Sequence, residues 1–273
     1  MNDRPVNDRR RILVFHRAVG FVHLSIPAAV EAIVGLGETR GFDVDTTDDP
    51  ARFAALVGGD AGSYDAVVFV HTSGDVLPGR SQREALEEYM ARGGGFFGIH
   101  AASSMARDVA TDWPWFRDLV GASFKGHTIG HLYSDEPVDD RRGVTYAGRF
   151  GEAPADADRW GDALAMWSCE AATVHVEDPD CPAVAGIGDG DVLTDEWYGF
   201  HDNPRPLVHV VATVDESTYE PYLGEMGDDH PIVWWREFGG GRSVYNAMGH
   251  SIAMWRDQRF LASVAGGIRL ACG

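Results

Sequence analysis

The sequence predicts an α/β fold, a parallel sheet with helices on both faces, formed by a single domain over residues 11–273. Three observations carry that prediction. The first half alternates apolar runs with amphipathic stretches in the order β-α-β-α-β-α-β, which calls for right-handed crossovers. Its apolar runs, such as Ala66 to Val70, show no polar alternation, as expected of strands buried on both faces. Finally, Gly94-Gly95-Phe96-Phe97-Gly98-Ile99-His100-Ala101-Ala102-Ser103 reads as a buried strand ending in a tight turn of small residues. That is the form of a nucleophile elbow, which thrusts the residue at the strand's end into the crevice where ligands bind.

Met1 to Arg10 is polar and reads as a short disordered tail, without the apolar centre of a signal peptide. Arg11 to Phe15 is the first strand. A loop, His16 to Leu24, leads to a helix opened by Ser25 and Pro27, with apolar positions at Ala29, Ile33, Val34 and Leu36. Phe42 to Thr46 is the second strand, and Asp49-Pro50 opens a short helix to Val57. Ala66 to Val70 is the third strand. Ser81 to Arg92 is an amphipathic helix with Ser81 as N-cap and Glu84 three residues on, a capping box in outline. Gly93-Gly94-Gly95 ends it and feeds the elbow strand, which a further helix follows.

The second half is less regular. Asp112 to Val120 reads as a helix capped by Asp112, and Asp135 to Asp162, rich in Asp, Gly, Arg and Pro, as a surface insertion. Ala172 to Val176, Leu207 to Val214, Ile232 to Phe238 and Arg242 to Ala247 read as strands, the last two joined by a hairpin at Gly239-Gly240-Gly241. Gln258 to Cys272 is a closing helix.

Composition narrows the function classes. A chain of 273 residues with 44% hydrophobic content can bury a full core. No apolar run approaches the ~20 residues of a membrane helix. The formal net charge of -19 speaks against nucleic-acid and anionic-membrane partners, because phosphate binding needs clustered Lys and Arg. The acidic residues are spread out and read as a solvated surface. Cys169, Cys181 and Cys272 have no zinc or redox spacing, and so sparse a set fits a cytoplasmic protein. A homodimer is the oligomer expected from general frequencies.

Ligands of an open parallel sheet sit at the carboxyl ends of its strands. There the sequence places His16, Arg17 and His23, then His71, Thr72, Ser73 and Asp75, then His100, then Asp195, Glu196, Trp197 and Tyr198, and finally Asn246 and His250. Five of the eleven His fall in these loops. The elbow residue is His100, suited to proton transfer or metal ligation. His127 and His131 stand four apart, a metal-ligand spacing on a helix, although the two Gly around them argue against one. Asp195-Glu196-Trp197-Tyr198 sets two carboxylates beside two aromatics, which suits acid/base work against a sugar face. Trp113, Trp115, Trp234, Trp235 and Trp255 read as core, His175 and His209 as satisfied core residues, and His201 and His230 as loop-structuring. No GxGxxG follows the first strand, and neither GxxxxGK[ST] nor GxSxG is present.

Seven motifs in order, Gly20-Phe21-Val22-His23-Leu24-Ser25-Ile26-Pro27, Gly74-Asp75-Val76-Leu77, Gly94 to Ala102, Asp195 to Tyr198, Asp215-Glu216-Ser217-Thr218-Tyr219, His230-Pro231-Ile232-Val233-Trp234 and Gly249-His250-Ser251, resemble the ThuA-like (trehalose-utilisation) family from about Arg11 to Gly273. The resemblance implies the class I glutamine amidotransferase-like fold, which is flavodoxin-like, without the amidotransferase Cys. It implies a role in sugar catabolism beside dehydrogenases that make 3-keto glycosides, and a pocket at His23, His100, His127, Glu196 and His250. The chain departs from the family at Thr128, where Pro is usual, at His131, where Gln is common, and in the length of Asp135 to Asp162.

These readings lead to a carbohydrate enzyme acting on keto-sugars or related glycosides, with His100, Glu196 and His250 as the catalytic set. His23, Asp75, His127, Trp197 and Tyr198 are the expected sugar contacts, with Asp75 supporting a histidine. No cofactor is required by the sequence. A divalent metal, zinc or manganese, is the one candidate, at His127 and His131 or drawn from His23, His127, His131 and His250. A non-catalytic sugar-binding or regulatory module on the same scaffold is the alternative.

Overall fold

The computed structural model describes residues 9–57, 64–128 and 168–273, so His131 and the acidic stretch Asp135 to Asp162 lie outside the described residues. Strand β1 (Arg10–Phe15) begins one residue before the sequence expectation and is followed by helix α1 (Ile26–Arg40) and strand β2 (Phe42–Thr47). A 3-10 turn (Pro50–Leu56) then leads to β3 (Ala66–Val70), α2 (Arg80–Ala91) and β4 (Gly95–Ile99). Two short helices, α3 (Ala102–Asp108) and α4 (Pro114–Val120), and a short strand, β5 (Phe124–His127), complete the first half. The second half holds β6 (Glu170–Val176), β7 (Asp191–Asp195), β8 (Tyr198–Phe200), β9 (His209–Val214), β10 (Pro231–Phe238), β11 (Gly241–Asn246) and α5 (Gln258–Cys272).

Nine strands form one sheet in the order β2-β1-β3-β4-β11-β10-β9-β6-β7, and β5 pairs with β8 separately. The first five run parallel to one another. Their spatial order, with β11 fifth, is the flavodoxin-like 2-1-3-4-5 arrangement. The antiparallel hairpin β10–β11 turns at Gly239-Gly240, as expected, and extends the sheet through β9, β6 and β7. The described part is thus a flavodoxin-like α/β fold with an antiparallel wing.

Burial follows from pattern. Every residue of β3 and β4 is buried, because helices cover both faces. Phe15, Phe53, Phe69, Phe96 and Phe116 interlock beneath them, with ring centroids 4.8–5.9 Å apart. The wing strands β6 and β7 alternate buried and exposed positions, as a sheet with one wet face does.

Several local expectations are corrected. Helix α2 is entered at Gly79, whose N–H is accepted by Gln82 (3.0 Å), while Glu84 pairs with Arg80 instead of closing a box on Ser81. Helix α4 follows Trp113 rather than Asp112, since Pro114 fixes the first turn. His175 and His209 are half exposed and not core. They sit on the wet face of the wing, where His175 pairs with Asp189 and His209 with Asp178. Of the five Trp, Trp113, Trp234 and Trp255 are buried, and Trp115 and Trp235 pack partly buried against the core. Among the described residues no helix is long and apolar enough to cross a membrane.

Candidate functional site

The carboxyl ends of the parallel strands meet at one point. His23 comes from the loop after β1, His71 from the end of β3, His100 from the end of β4 and His250 from the loop after β11. Glu196 arrives from the wing, between β7 and β8. All five side chains are buried. The strand order reverses between β1 and β3, the topological switch point where this fold class binds its ligands.

Local backbone geometry aims these residues. His71 and His100 are both left-handed, each at φ 51°, at the ends of adjacent strands. Such a conformation is costly for a residue with a Cβ and concentrates at functional sites. At His100 it is the sharp strand-to-helix turn read from the sequence. Its N–H bonds the Asn246 carbonyl (2.8 Å), and its carbonyl accepts from the Tyr245 hydroxyl (2.7 Å). Gly249 stands at φ 113° against Phe260, Trp255 and Ile99, a space and conformation that leave little room for a Cβ. The buried Asp195 carboxylate then accepts the N–H groups of Gly249 (2.6 Å) and His250 (3.1 Å), fixing the turn that presents His250.

The side chains converge through acceptor atoms. His100 Nδ1 donates to the Ala247 carbonyl at 2.7 Å, since that oxygen can only accept. Its Nε2 therefore faces the centre, 3.2 Å from Glu196 Oε2 and 3.3 Å from His250 Nδ1. His250 Nδ1 is 3.0 Å from the same Glu196 oxygen. The other oxygen, Glu196 Oε1, accepts the Ser168 hydroxyl and lies 3.4 Å from His127 Nδ1. His23 stacks on His71 with centroids 4.7 Å apart and meets His100 and His250 edge-on. Its Nδ1 is buried without a hydrogen-bond partner among the described residues. The ring of Tyr198 lies 3.9 Å from that of His100 and walls the opposite side.

Electrostatics follow from this crowding. Burial and then the neighbouring histidines hold His23 and His71 well below the ordinary imidazole value, so both are neutral bases at pH 7. Burial pushes the Glu196 carboxyl up. The neighbouring His127 and His250 and the bonds from His100 and His250 outweigh it and hold Glu196 well below the ordinary carboxylate value. Burial raises Asp195, which accepts backbone N–H groups instead of facing the centre. A carboxylate and several imidazole lone pairs thus share a small buried space, an arrangement that accepts a proton or a cation.

The structure brings together His23, His100, Glu196 and His250, whose ligand-capable atoms all lie within 4.8 Å of one another, and sets His127 beside Glu196. His127 ends a strand, and His131, its expected metal partner, lies outside the described residues. Asp75 supports no histidine. Its half-exposed carboxylate is paired with Arg83 (2.9 Å), a partner one helical turn into α2. Trp197 is not a sugar platform but core, almost fully buried, with its indole N–H on the Glu170 carbonyl. Thr128, the departure from the family's Pro, is structural: its hydroxyl donates to the Ser168 carbonyl and accepts the Trp197 N–H. Sequence reading set His71 at a strand end but left it out of the expected pocket, and it passed over Ser168. His71 was legible by its place after a fully apolar strand, as His100 was. Ser168 carried no signal, because it reaches Glu196 only through the fold. Ser25, expected as a helix cap, makes no cap bond and lies 3.3 Å from His71 Nε2.

A family model described as trehalose utilisation, ThuA, matches residues 11–271. Among solved structures, the chain is similar to a ThuA-like protein from Bacteroides uniformis, with 21% identity and a TM-score of 0.68 over 99% of this chain and 94% of that one. It is also similar to a ThuA-like protein from Parabacteroides merdae, with 18% identity and a TM-score of 0.60 over 97% and 90% of the two chains. At these identities the likeness is one of fold. A comparison with curated proteins gave no match.

Proposed function

This chain belongs to the ThuA, trehalose-utilisation, family, and from that premise we propose that it is an enzyme acting on keto-sugars or related glycosides by acid/base chemistry at the His100–Glu196–His250 cluster. Membership implies a carbohydrate-related role. The observation that carries the finer reading is the convergence of two imidazole nitrogens and one carboxylate oxygen within 3.0–3.3 Å of one another in a buried crevice. A binding module holds sugar hydroxyls with mixed donors and acceptors. A cluster of lone pairs around one ionised carboxylate suits taking up a proton.

A carbonyl at C3 of a sugar acidifies the proton on C2. The cluster accepts that proton, and the C2–H electrons form the enediolate. Their return as a C1–C2 double bond expels the oxygen substituent at C1, which leaves with the C–O pair and picks up a proton. Water added across the double bond completes a hydrolysis. Without loss of the substituent, reprotonation gives an isomer. His127, on the outer oxygen of Glu196 and partly exposed, is the group placed to exchange protons with the leaving oxygen. A divalent ion would assist by polarising the carbonyl and the enediolate oxygens.

The test is incubation with a panel of 3-keto glucosides and 3-keto disaccharides, followed by mass spectrometry. Release of the C1 substituent, or isomerisation, is the expected result. Failure to convert any keto-sugar, together with sugar-dependent thermal stabilisation, would move the assignment to a non-catalytic sugar-binding module.

A further inference from the structure

We propose that His23, His100, Glu196 and His250 form a site for one divalent first-row transition-metal ion. The inference deepens the reading above but rests on geometry and does not need the sugar chemistry to be right. Ligands about 2.0–2.1 Å from a tetrahedral ion stand about 3.3–3.4 Å apart. The three inner separations are 3.0, 3.2 and 3.3 Å, so His100 Nε2, His250 Nδ1 and Glu196 Oε2 mark one face of such a polyhedron. His23 brings a ring nitrogen within 4.8 Å of all three and supplies the fourth direction.

The surroundings fit the same purpose. A metal-bound imidazole ordinarily donates its second N–H to a carbonyl or carboxylate, which fixes the ring. His100 does this through Nδ1 to Ala247. Glu196 has its outer oxygen held by Ser168, leaving Oε2 directed to the centre. Asp195 clamps the backbone of His250 without competing for the ion. A single shared proton satisfies one pair of these atoms, whereas an ion satisfies all of them, the orphaned Nδ1 of His23 included if that is the nitrogen presented. Imidazole and carboxylate donors in this ratio suit zinc, manganese or cobalt rather than calcium or magnesium. The set does not include His127, and His131 lies outside the described residues. With an ion bound, His100 and His250 would serve as ligands, and His127 would remain the side chain beside the outer oxygen of Glu196.

The test takes the full-length chain without a histidine tag, stripped with a chelator, and titrates in Co2+, followed by visible spectroscopy and calorimetry, then Zn2+ and Mn2+ by competition. The expected result is one Co2+ per chain, with the intense visible bands of a four- or five-coordinate site and a saturable rise in Tm. Glu196→Gln and His250→Ala should each weaken affinity at least about 100-fold, beyond the loss from an outer-shell change, and abolish the bands. His127→Ala should keep the bands and lose no more affinity than an outer-shell change, at most about 100-fold. No saturable uptake of any of the three ions by the wild-type chain overturns the proposal, as does uptake that survives both ligand substitutions. If a variant fails to fold by circular dichroism, the wild-type titration decides. Keto-sugar turnover by a chain that takes up no metal removes the metal and leaves the acid/base reading. Stoichiometric metal on a chain that converts no keto-sugar does the reverse.

Discussion

The chain buries two sets of histidine and glutamate, and they are built to opposite rules. In one, His230 Nδ1 meets Glu216 Oε1 at 2.7 Å and its Nε2 meets the Tyr198 carbonyl at 2.9 Å. The carboxylate also accepts the N–H groups of Met226 (2.5 Å) and Gly227 (2.9 Å). Every polar atom of that pair is answered, and the pair ties the loop before β10 to β8. In the other, two imidazole nitrogens and a carboxylate oxygen crowd within 3.0–3.3 Å of one another, and the Nδ1 of His23 has no hydrogen-bond partner among the described residues. Closed hydrogen bonding marks a structural joint. Convergent lone pairs mark a place where something charged is taken up.

The largest expected effect tests the open set. His100→Ala and Glu196→Gln should each lower kcat/KM for a keto-sugar by about a hundred- to ten-thousandfold, while Tm holds or rises because crowded groups are removed. An undiminished rate in both variants would put the chemistry elsewhere. Next comes the closed set. Glu216→Ala takes the carboxylate from a fully buried His230, leaving the Tyr219 hydroxyl at its Nδ1, and should cost about 3 kcal/mol in urea unfolding, with Co2+ uptake by the folded chain intact. A cost below about 1 kcal/mol would erase the contrast.

The pH response sharpens it. Burial pushes Glu216 up, but the His230 bond and the two backbone N–H groups prevail and hold it below the ordinary 4.5. A carboxyl depressed on folding binds fewer protons in the folded than in the unfolded chain. Its stabilisation is therefore complete above about pH 4.5 and is lost as pH falls through the lower folded value. Urea midpoints measured from pH 7 to pH 3 should drop less steeply in Glu216→Gln than in wild type. Parallel curves would show that Glu216 does not carry the acid sensitivity. Smallest of all is the surface pair on the wing. His209→Gln removes a half-exposed contact with Asp178 and should shift stability by no more than about 1 kcal/mol, a shift read by thermal melting.

Much of this was legible in the residues. The parallel strands β1, β3 and β4 announced themselves as short apolar runs, and the closing helix Gln258–Cys272 was read to the residue. The elbow at His100 was visible because glycine, small residues and a single polar side chain can be arranged there in few ways. What escaped lies in the wing. β5, β7 and β8 are short, and in β7 the apolar Val192 and Leu193 are outnumbered by polar neighbours. His175 and His209 looked internal because their strands are apolar, although one face of the wing is open to water. Asp75 and Trp197 were near the right residues in sequence but turn to other partners. Side-chain direction after a strand depends on one backbone angle that sequence does not disclose. Convergence on Glu196 was legible only through the family resemblance and not through spacing, since it joins residues as far apart as His23 and His250.

The paired left-handed turns at His71 and His100 have a consequence for how this chain can change. Each asks a bulky residue to hold a conformation that glycine adopts freely, at about 1–3 kcal/mol apiece. Selection for heat resistance alone would therefore reach these two positions early, replacing imidazole with glycine or asparagine and gaining stability with each step. A lineage that keeps both histidines is being held there by something other than folding. Directed evolution for thermal robustness, run once with and once without a requirement for activity, would find the two turns diverging first.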